Sequence, residues 1–539
     1  MNYETVTRVK IILAVLLGLF LVVNLRRHTR SGRRPAGRPR ARWRLRQVFL
    51  AGLAILSMAN FYHGGYFHTR YLEYGWLDRR AFLHLWDLYH YYNGAKYFDE
   101  LGYYNLYNAT IAADAEDGGR LAGVTRVRDL GSGGFISRDQ ILSRASLYRS
   151  RFSPRRWREF TSDVRYFTAR LPPGVMENIL VDHGYNPTPA WNTTGSFLAN
   201  RVPVERLAAL ALVDVAILIA IVVALGASFG VETALVATVF FGINAFSPFS
   251  ITGGSFLRYD WLLGLVLSLC LLRGRHYASA GFFLSYAALV RIFPALFLAG
   301  LACKAASETV RDRAVPPRFA RLFLSFLLSS ILFIGYGCLA RQGFDTWKEF
   351  AGKITAHHRS LAANSVGFTM VFLYDDTWED PASFAAAYGS TGEEAETVVN
   401  RVKGAEARDR RAPFLLFSLS VLGLCAFVVI GRPDDEALAW GAVPVFMLLN
   451  LSNYYYAFLL INAVVWCRGA GRRPAPLLLL TAAQAIVLWV EVAIDYPLRA
   501  TALSSLVFFV FVLTLICVEL IGNRRRIKRR LVALTDGAR

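Results

Sequence analysis

Charge is scarce in this chain of 539 residues: Asp, Glu, Lys and Arg make up 18%, against about 25% in an average soluble domain. The acidic half is the scarcer, 39 Asp and Glu against 60 Lys and Arg, a formal net charge of +21. There are six cysteines, Cys270, Cys303, Cys338, Cys425, Cys467 and Cys517, all in or beside apolar runs and none in a C-x-x-C pair. The two long hydrophilic stretches contain no cysteine, which excludes a disulfide framework or a cysteine-based zinc site there. No internal repeat and no heptad pattern is visible. What fills the chain instead is apolar: 55% hydrophobic residues and a mean hydropathy of +0.35. This content is broken into runs of roughly 16–23 residues, each near the ~20 that cross a bilayer core. A soluble enzyme, a fibrous protein and a single-span receptor are excluded. The expected fold class is an all-α polytopic membrane protein.

The net charge invites a nucleic-acid partner, but much of the excess lies next to apolar runs, where Lys and Arg mark the cytoplasmic side. No nucleic acid is expected; the bilayer is. Run 9–24 is followed by Leu25-Arg26-Arg27-His28 rather than a small-residue cleavage site, so it reads as an uncleaved anchor. Ten arginines crowd 26–46. With that linker inside, 47–63 carries the chain outward, and 64–205 becomes a long extracytoplasmic loop. Further runs fall at 207–225, 231–248 and 257–272, then a short pair at 277–292 and 294–304, broken by Pro294, then 319–340. A second hydrophilic loop covers 341–411, followed by runs at 413–430, 437–449, 454–466, 476–494 and 501–521. On this count there are about thirteen crossings. The basic segments 273–276, 304–321, 468–473 and 524–530 then share a side with 26–46, and both loops lie on the other side. The organisation expected is an anchor and linker (1–46), a core (47–340) carrying the loop 64–205, a second loop (341–411), and C-terminal helices with a basic tail (412–539).

Chemistry is sought where ionisable groups gather on that outer side. Leu85, Leu88, Tyr89 and Tyr92 follow helical spacing, predicting an amphipathic helix lying at the outer surface. Asp87 is on it, and a carboxylate so close to lipid is costly unless solvated or paired, which makes it a functional candidate. The competing reading pairs it with Arg79 or Arg80. Arg258, Tyr259 and Asp260 open a run at its outer end, and Arg291 precedes Pro294 at the tip of the short pair. His357-His358-Arg359 and Asn364 stand in the second loop. Arginine suits a phosphate, because its planar fork donates two hydrogen bonds and stays charged. The run Asp375-Asp376-Thr377-Trp378-Glu379-Asp380 offers oxygen ligands to a divalent cation, with a solvated loop as the simpler reading. Asp182 and His183 lack the spacing of a metal site. Sequons at Asn108 and Asn192 matter only in a glycosylating host.

Several of these segments, in chain order, resemble the GT-C class of membrane glycosyltransferases, nearest the bacterial polyprenyl-phosphate-mannose-dependent α-mannosyltransferases. They are Asp87-Leu88-Tyr89 through Leu106-Tyr107, Gly184-Tyr185-Asn186-Pro187-Thr188-Pro189, Arg258-Tyr259-Asp260-Trp261-Leu262-Leu263, Ala280-Gly281, Leu289-Val290-Arg291-Ile292-Phe293-Pro294, Asn364-Ser365 and Asn453-Tyr454-Tyr455-Tyr456. The likeness covers most of 47–466 as scattered short patterns. An insertion at about 108–182 and the extra run 9–24 depart from it. The resemblance implies a GT-C-like bundle whose site faces the extracytoplasmic side of the plasma membrane. It implies transfer of a hexose such as mannose from a polyprenyl-phosphate donor to a glycan or glycolipid acceptor; the sequence itself requires no cofactor and leaves a divalent metal open. Asp87 would be the general base, and Arg291, Arg258 and His358 would hold the donor phosphate. Trp86, Tyr89, Asp260, Asn364, Tyr454 and Tyr455 would contact substrate, with no metal ligand assigned. The readings weighed against it are a secondary transporter or flippase of a lipid-linked or anionic substrate, a lipid-linked glycan ligase or protein glycosyltransferase, and an envelope scaffold. Transporters place their charges at the midplane in interrupted helices, whereas here they gather at one surface.

Overall fold

The computed structural model describes residues 3–30, 40–65, 67–69, 72–74, 82–171, 174–341, 343–359, 364–374, 381–389, 395–469, 475–495 and 497–522. Among these residues helix dominates, and the only sheets are three two-stranded antiparallel pairs. Seven helical segments are long and apolar enough to cross a membrane: Tyr3–Val23, Val204–Phe229, Phe293–Asp312, Pro317–Gly337, Arg411–Val429, Ala475–Ala493 and Pro497–Gly522. Leu45–Phe61, Val231–Ile243 and Tyr277–Val290 are apolar but shorter. The acidic run 375–380, Arg79, Arg80 and the basic tail 524–530 lie outside the described residues, as do residues 31–39 of the arginine-rich linker.

Helix Pro317–Gly337 shows why a bilayer is the natural solvent. Leu324, Leu327, Leu328, Ile331 and Leu332 are each 57–60% exposed at i, i+3, i+4, i+7 and i+8, one continuous apolar stripe. In water such a stripe is an aggregation surface; in hydrocarbon it has nothing to escape from. The other side of this helix packs on Tyr277–Val290 through a small residue. A Cβ at Gly281 would lie 2.3 Å from the Leu322 carbonyl oxygen and 3.0 Å from the Phe326 nitrogen, so only glycine lets the two backbones approach this closely. Gly281→Val is therefore expected to force the helices apart at about 1–3 kcal/mol, read as a lowered unfolding midpoint in detergent. An unchanged midpoint would mean that the interface is loose.

The helices Asp260–Arg273 and Tyr277–Val290 form a hairpin closed by the turn 274–276. The Arg275 N–H donates to Leu272 O (3.1 Å) and His276 N–H to Leu271 O (2.8 Å), with Arg275 at φ 64°, the double closure of a helix C-terminus. Because the hairpin is antiparallel, its open end brings Arg258 and Asp260 level with Arg291. Asp214, the one acid in helix Leu207–Phe229, holds the start of this hairpin. Its carboxylate accepts from the Arg258 N–H (2.9 and 3.2 Å) and the Tyr259 N–H (3.4 Å), backbone donors that a helix N-terminus leaves open.

The segment predicted as an amphipathic surface helix has a different form. Leu85–Leu88 is one α-turn, Tyr89–Asn93 a π-turn and Gly94–Lys96 α again, and every residue from 88 to 98 is buried. The π-turn inserts a residue into the helical repeat and turns later side chains to new directions. The polar face is covered by the insertion itself, which folds as part of this region. Lys96 Nζ lies 2.7 Å from Asp163 of helix Pro154–Arg170, and the Tyr97 hydroxyl donates to the same carboxylate at 2.7 Å. Finally, Ser365–Val366 pairs with Leu451–Ser452, and the Asn453 N–H donates to Asn364 O at 2.8 Å. This small ladder ties the second loop to the aromatic run 454–456.

Candidate functional site

A cavity of about 470 Å³ opens beside the mouth of the hairpin. Its walls are mostly apolar, from Val290, Ile292, Phe293, Leu296, Ile354 and Leu449, with Tyr91, Tyr454 and Tyr455 to one side. Asn186, Thr188, Asn450 and Ser452 supply polar edges, and among the described residues Arg291 is the only charged group in the lining. A long apolar chain ending in one anion matches this distribution.

Arg291 follows helix Tyr277–Val290 directly, with an extended backbone at φ −150°. One guanidinium nitrogen, Nη1, donates to Val290 O at 2.8 Å, and the group sits 5.5 Å from the Trp191 ring. The other nitrogen, Nη2, is buried with no hydrogen-bond partner among the described residues. A buried guanidinium with unsatisfied N–H groups is costly, and an anion delivered to it removes that cost. The Asn450 amide is likewise buried and unpartnered.

Behind the tyrosines lies the carboxylate. Arg258 Nε is 3.1 Å from Asp87 Oδ2, and its guanidinium lies between the rings of Tyr91 (4.8 Å) and Tyr454 (5.0 Å). The ion contact is off-axis for a hydrogen bond, and Asp87 Oδ2 has no hydrogen-bond donor among the described residues. The side chain of Asp87 is 14% exposed and that of Arg258 5%. The Asp87 N–H donates to His84 Nδ1 (3.2 Å), and His84 Nε2 faces Ser250 O (3.0 Å). A carbonyl only accepts, so the His84 proton belongs on Nε2. Burial holds this imidazole below its ordinary pKa, against the opposing pull of Asp87.

The structure brings together Asp87, Arg258, Tyr454, Tyr455 and Arg291. Trp86 stands beside them, but its Nε1 donates to Asp182 (3.1 Å). Asp260 accepts from the Trp261 N–H (2.8 Å) and the Tyr286 hydroxyl (3.2 Å), behind the cavity wall and within electrostatic reach of Arg291. Tyr89 is a correction: it is fully buried, packed edge-on against Phe167, with its hydroxyl 2.8 Å from Thr110. The ring that reaches the cavity is Tyr91, one turn beyond Asp87. Asn364 contributes its carbonyl to the ladder, while its neighbour Ser365 lines the cavity. His358 falls on helix Phe344–Arg359, with its side chain outside the described residues. Tyr91, Trp191, Asn450 and Asp214 escaped the sequence reading. A signal existed for Asp214, a lone acid in an apolar run, and for Tyr91, at i+4 from Asp87.

Lys353 is a further omission. It is buried on helix Phe344–Arg359 and donates to Tyr103 O at 3.1 Å. Burial pushes its pKa down from 10.5 to about 7, with Asp182 pulling weakly the other way. The folded chain thus binds fewer protons than the unfolded chain between these values, and stability rises with pH across that window. The penalty is complete below about pH 7 and fades toward 10.5. Against Lys353→Met, the wild type should gain relative stability as pH rises through this range, measured by paired melts. A gap constant with pH would place the charged amine in solvent.

Comparison with protein-family models, with curated proteins and with solved structures finds no match.

Proposed function

We propose that the protein is a membrane glycosyltransferase of the GT-C type. It moves a sugar, a hexose such as mannose, from a polyprenyl-phosphate donor to an extracytoplasmic glycan or glycolipid acceptor. The observation that carries the reading is Arg291, a buried cation whose Nη2 has no partner among the described residues, in a cavity with mostly apolar walls. That combination suits a phosphate on a hydrocarbon chain better than it suits a soluble anion. In this reading the chain crosses the plasma membrane about thirteen times, and both loops and the site face outward.

The chemistry asks little of the protein beyond placement. The acceptor hydroxyl oxygen attacks the anomeric carbon, and its proton passes to Asp87. The bond from that carbon to the phosphate oxygen breaks, and the phosphate leaves with the electron pair, its charge met by Arg291. Displacement from the opposite face inverts the anomeric carbon. Arg258, already engaged by Asp87, Tyr91 and Tyr454, acts here as a positioning residue that aims the carboxylate rather than as a second phosphate ligand. Tyr454 and Tyr455 would flank the sugar ring.

The test is transfer of label from radiolabelled polyprenyl-phosphate sugars by the full chain in proteoliposomes. Donor-dependent transfer of the label to a glycan or glycolipid acceptor is expected. Absence of both turnover and binding with every lipid-linked donor would overturn the reading. Movement of an intact donor across the bilayer without bond cleavage would replace it with flipping.

A further inference from the structure

A second cavity, of about 610 Å³, lies at the closed end of the same hairpin, where Arg273 ends one helix and Tyr277 begins the next. Helix Tyr277–Val290 has 14 residues, so at 1.5 Å per residue about 20 Å separates this cavity from Arg291. It is a different place with a different lining. Five cations surround it, Arg273, Arg275, Lys304, Arg318 and Arg321, against Asp434 and Asp435.

The acids are already engaged. Asp434 pairs with Lys304 and accepts from the Tyr277 hydroxyl at 2.6 Å. It also lies 3.4 Å from Arg318, which pairs with Glu308. Asp435 pairs with Arg468, from outside the lining. Arg273, Arg275 and Arg321 are left with no carboxylate partner among the described residues. Three like charges around one hollow repel each other, and screening by water only moderates this. Arg275 sharpens the point. It occupies the left-handed position at a helix C-terminus, φ 64°, where glycine is the usual residue and any other costs about 1 kcal/mol. The residue placed there contributes a guanidinium to the cavity and no ion pair to the fold.

We propose that this cavity binds a phosphate-bearing anion, held by the guanidinium groups of Arg273, Arg275 and Arg321. Planar guanidinium donors suit phosphate oxygens, which accept two N–H bonds from each fork. Most of the lining is charged, so the ligand is a phosphate head, either that of an anionic phospholipid or a free phosphate or pyrophosphate. The site works independently of glycosyl transfer.

All three arginines are exposed, so replacing them leaves the packing intact. The full chain in neutral detergent would be titrated with inorganic phosphate and pyrophosphate, following the unfolding midpoint. In parallel it would be passed through phosphatidylcholine nanodiscs with and without phosphatidylglycerol, and the retained lipid weighed by native mass spectrometry. The wild type should bind, and Arg273→Gln, Arg275→Gln and Arg321→Gln together should weaken binding on the order of tenfold or more. The triple lysine variant should keep most of it, and the comparisons are repeated in an Arg291→Ala background so that anion binding at the first cavity does not contribute. Phosphatidylglycerol retained and displaced by pyrophosphate marks a headgroup site; pyrophosphate binding without retained lipid marks a free-anion site. Equal binding by wild type and the triple glutamine variant, or no binding by wild type, overturns the proposal.

Discussion

Asp87→Asn is expected to lower sugar transfer about 10²–10⁴-fold, the usual contribution of a positioned general base, while leaving donor binding nearly intact. The amide keeps the shape of the carboxylate and loses only its charge and its capacity to take a proton. It also removes the partner of Arg258, which is 5% exposed in its side chain, and an unpaired buried charge costs about 3–5 kcal/mol. Stability and catalysis would then fall together and be confused. The double variant Asp87→Asn, Arg258→Gln separates them: without the stranded cation, stability should recover and turnover should not. If the double variant regained transfer, Asp87 would be a structural ion-pair partner. Full activity in Asp87→Asn alone would remove it from the chemistry.

Arg291→Ala should have the reverse signature. Donor affinity is expected to fall about 10- to 150-fold, since a charge-assisted bond to a buried anion is worth about 1.5–3 kcal/mol. The empty protein should be at least as stable as wild type, because Arg291 Nη2 has no partner among the described residues and its burial is a standing cost. A group that destabilises the free protein and stabilises the complex is placed for its ligand. The measurement is a pair of melts, with and without a polyprenyl-phosphate sugar, for both chains. A large loss of stability in the unliganded variant would make Arg291 a structural residue, held by Val290 O and Trp191. Arg291→Lys should recover part of the affinity, having the charge without the fork.

The long helices were legible because hydrocarbon imposes a contiguous rule. The runs read at 207–225, 319–340, 413–430, 476–494 and 501–521 correspond to helices Leu207–Phe229, Pro317–Gly337, Arg411–Val429, Ala475–Ala493 and Pro497–Gly522. The break at Pro294 was legible for a similarly local reason, a missing N–H, and the chain there is a tight helical turn, Phe293–Phe297. Shorter runs were less faithful. The one read at 437–449 is two short helices, Asp434–Ala439 and Ala442–Leu448, because buried segments inside a bundle need not be of membrane length.

Which charges stand out of place was in the sequence; whom they meet was not. Asp87, Arg258 and Arg291 stood out as ionisable residues beside apolar runs, an anomaly visible in one dimension because burying charge is expensive anywhere. That Asp87 meets Arg258 depends on the register of the hairpin against the first loop, set in part by Asp214 on a third element. That Tyr91 rather than Tyr89 faces the cavity depends on one π-turn, to which a 3.6-residue period is blind. That Arg291 keeps one nitrogen unpartnered is a statement about every group around it. By itself, then, the sequence determined an all-α chain with helices fit for a bilayer and a short list of displaced charges, since these follow from transfer energies residue by residue. Only the tertiary structure decided which charges pair, which stay open and where the cavities lie, since partnership and vacancy belong to the packing of distant segments.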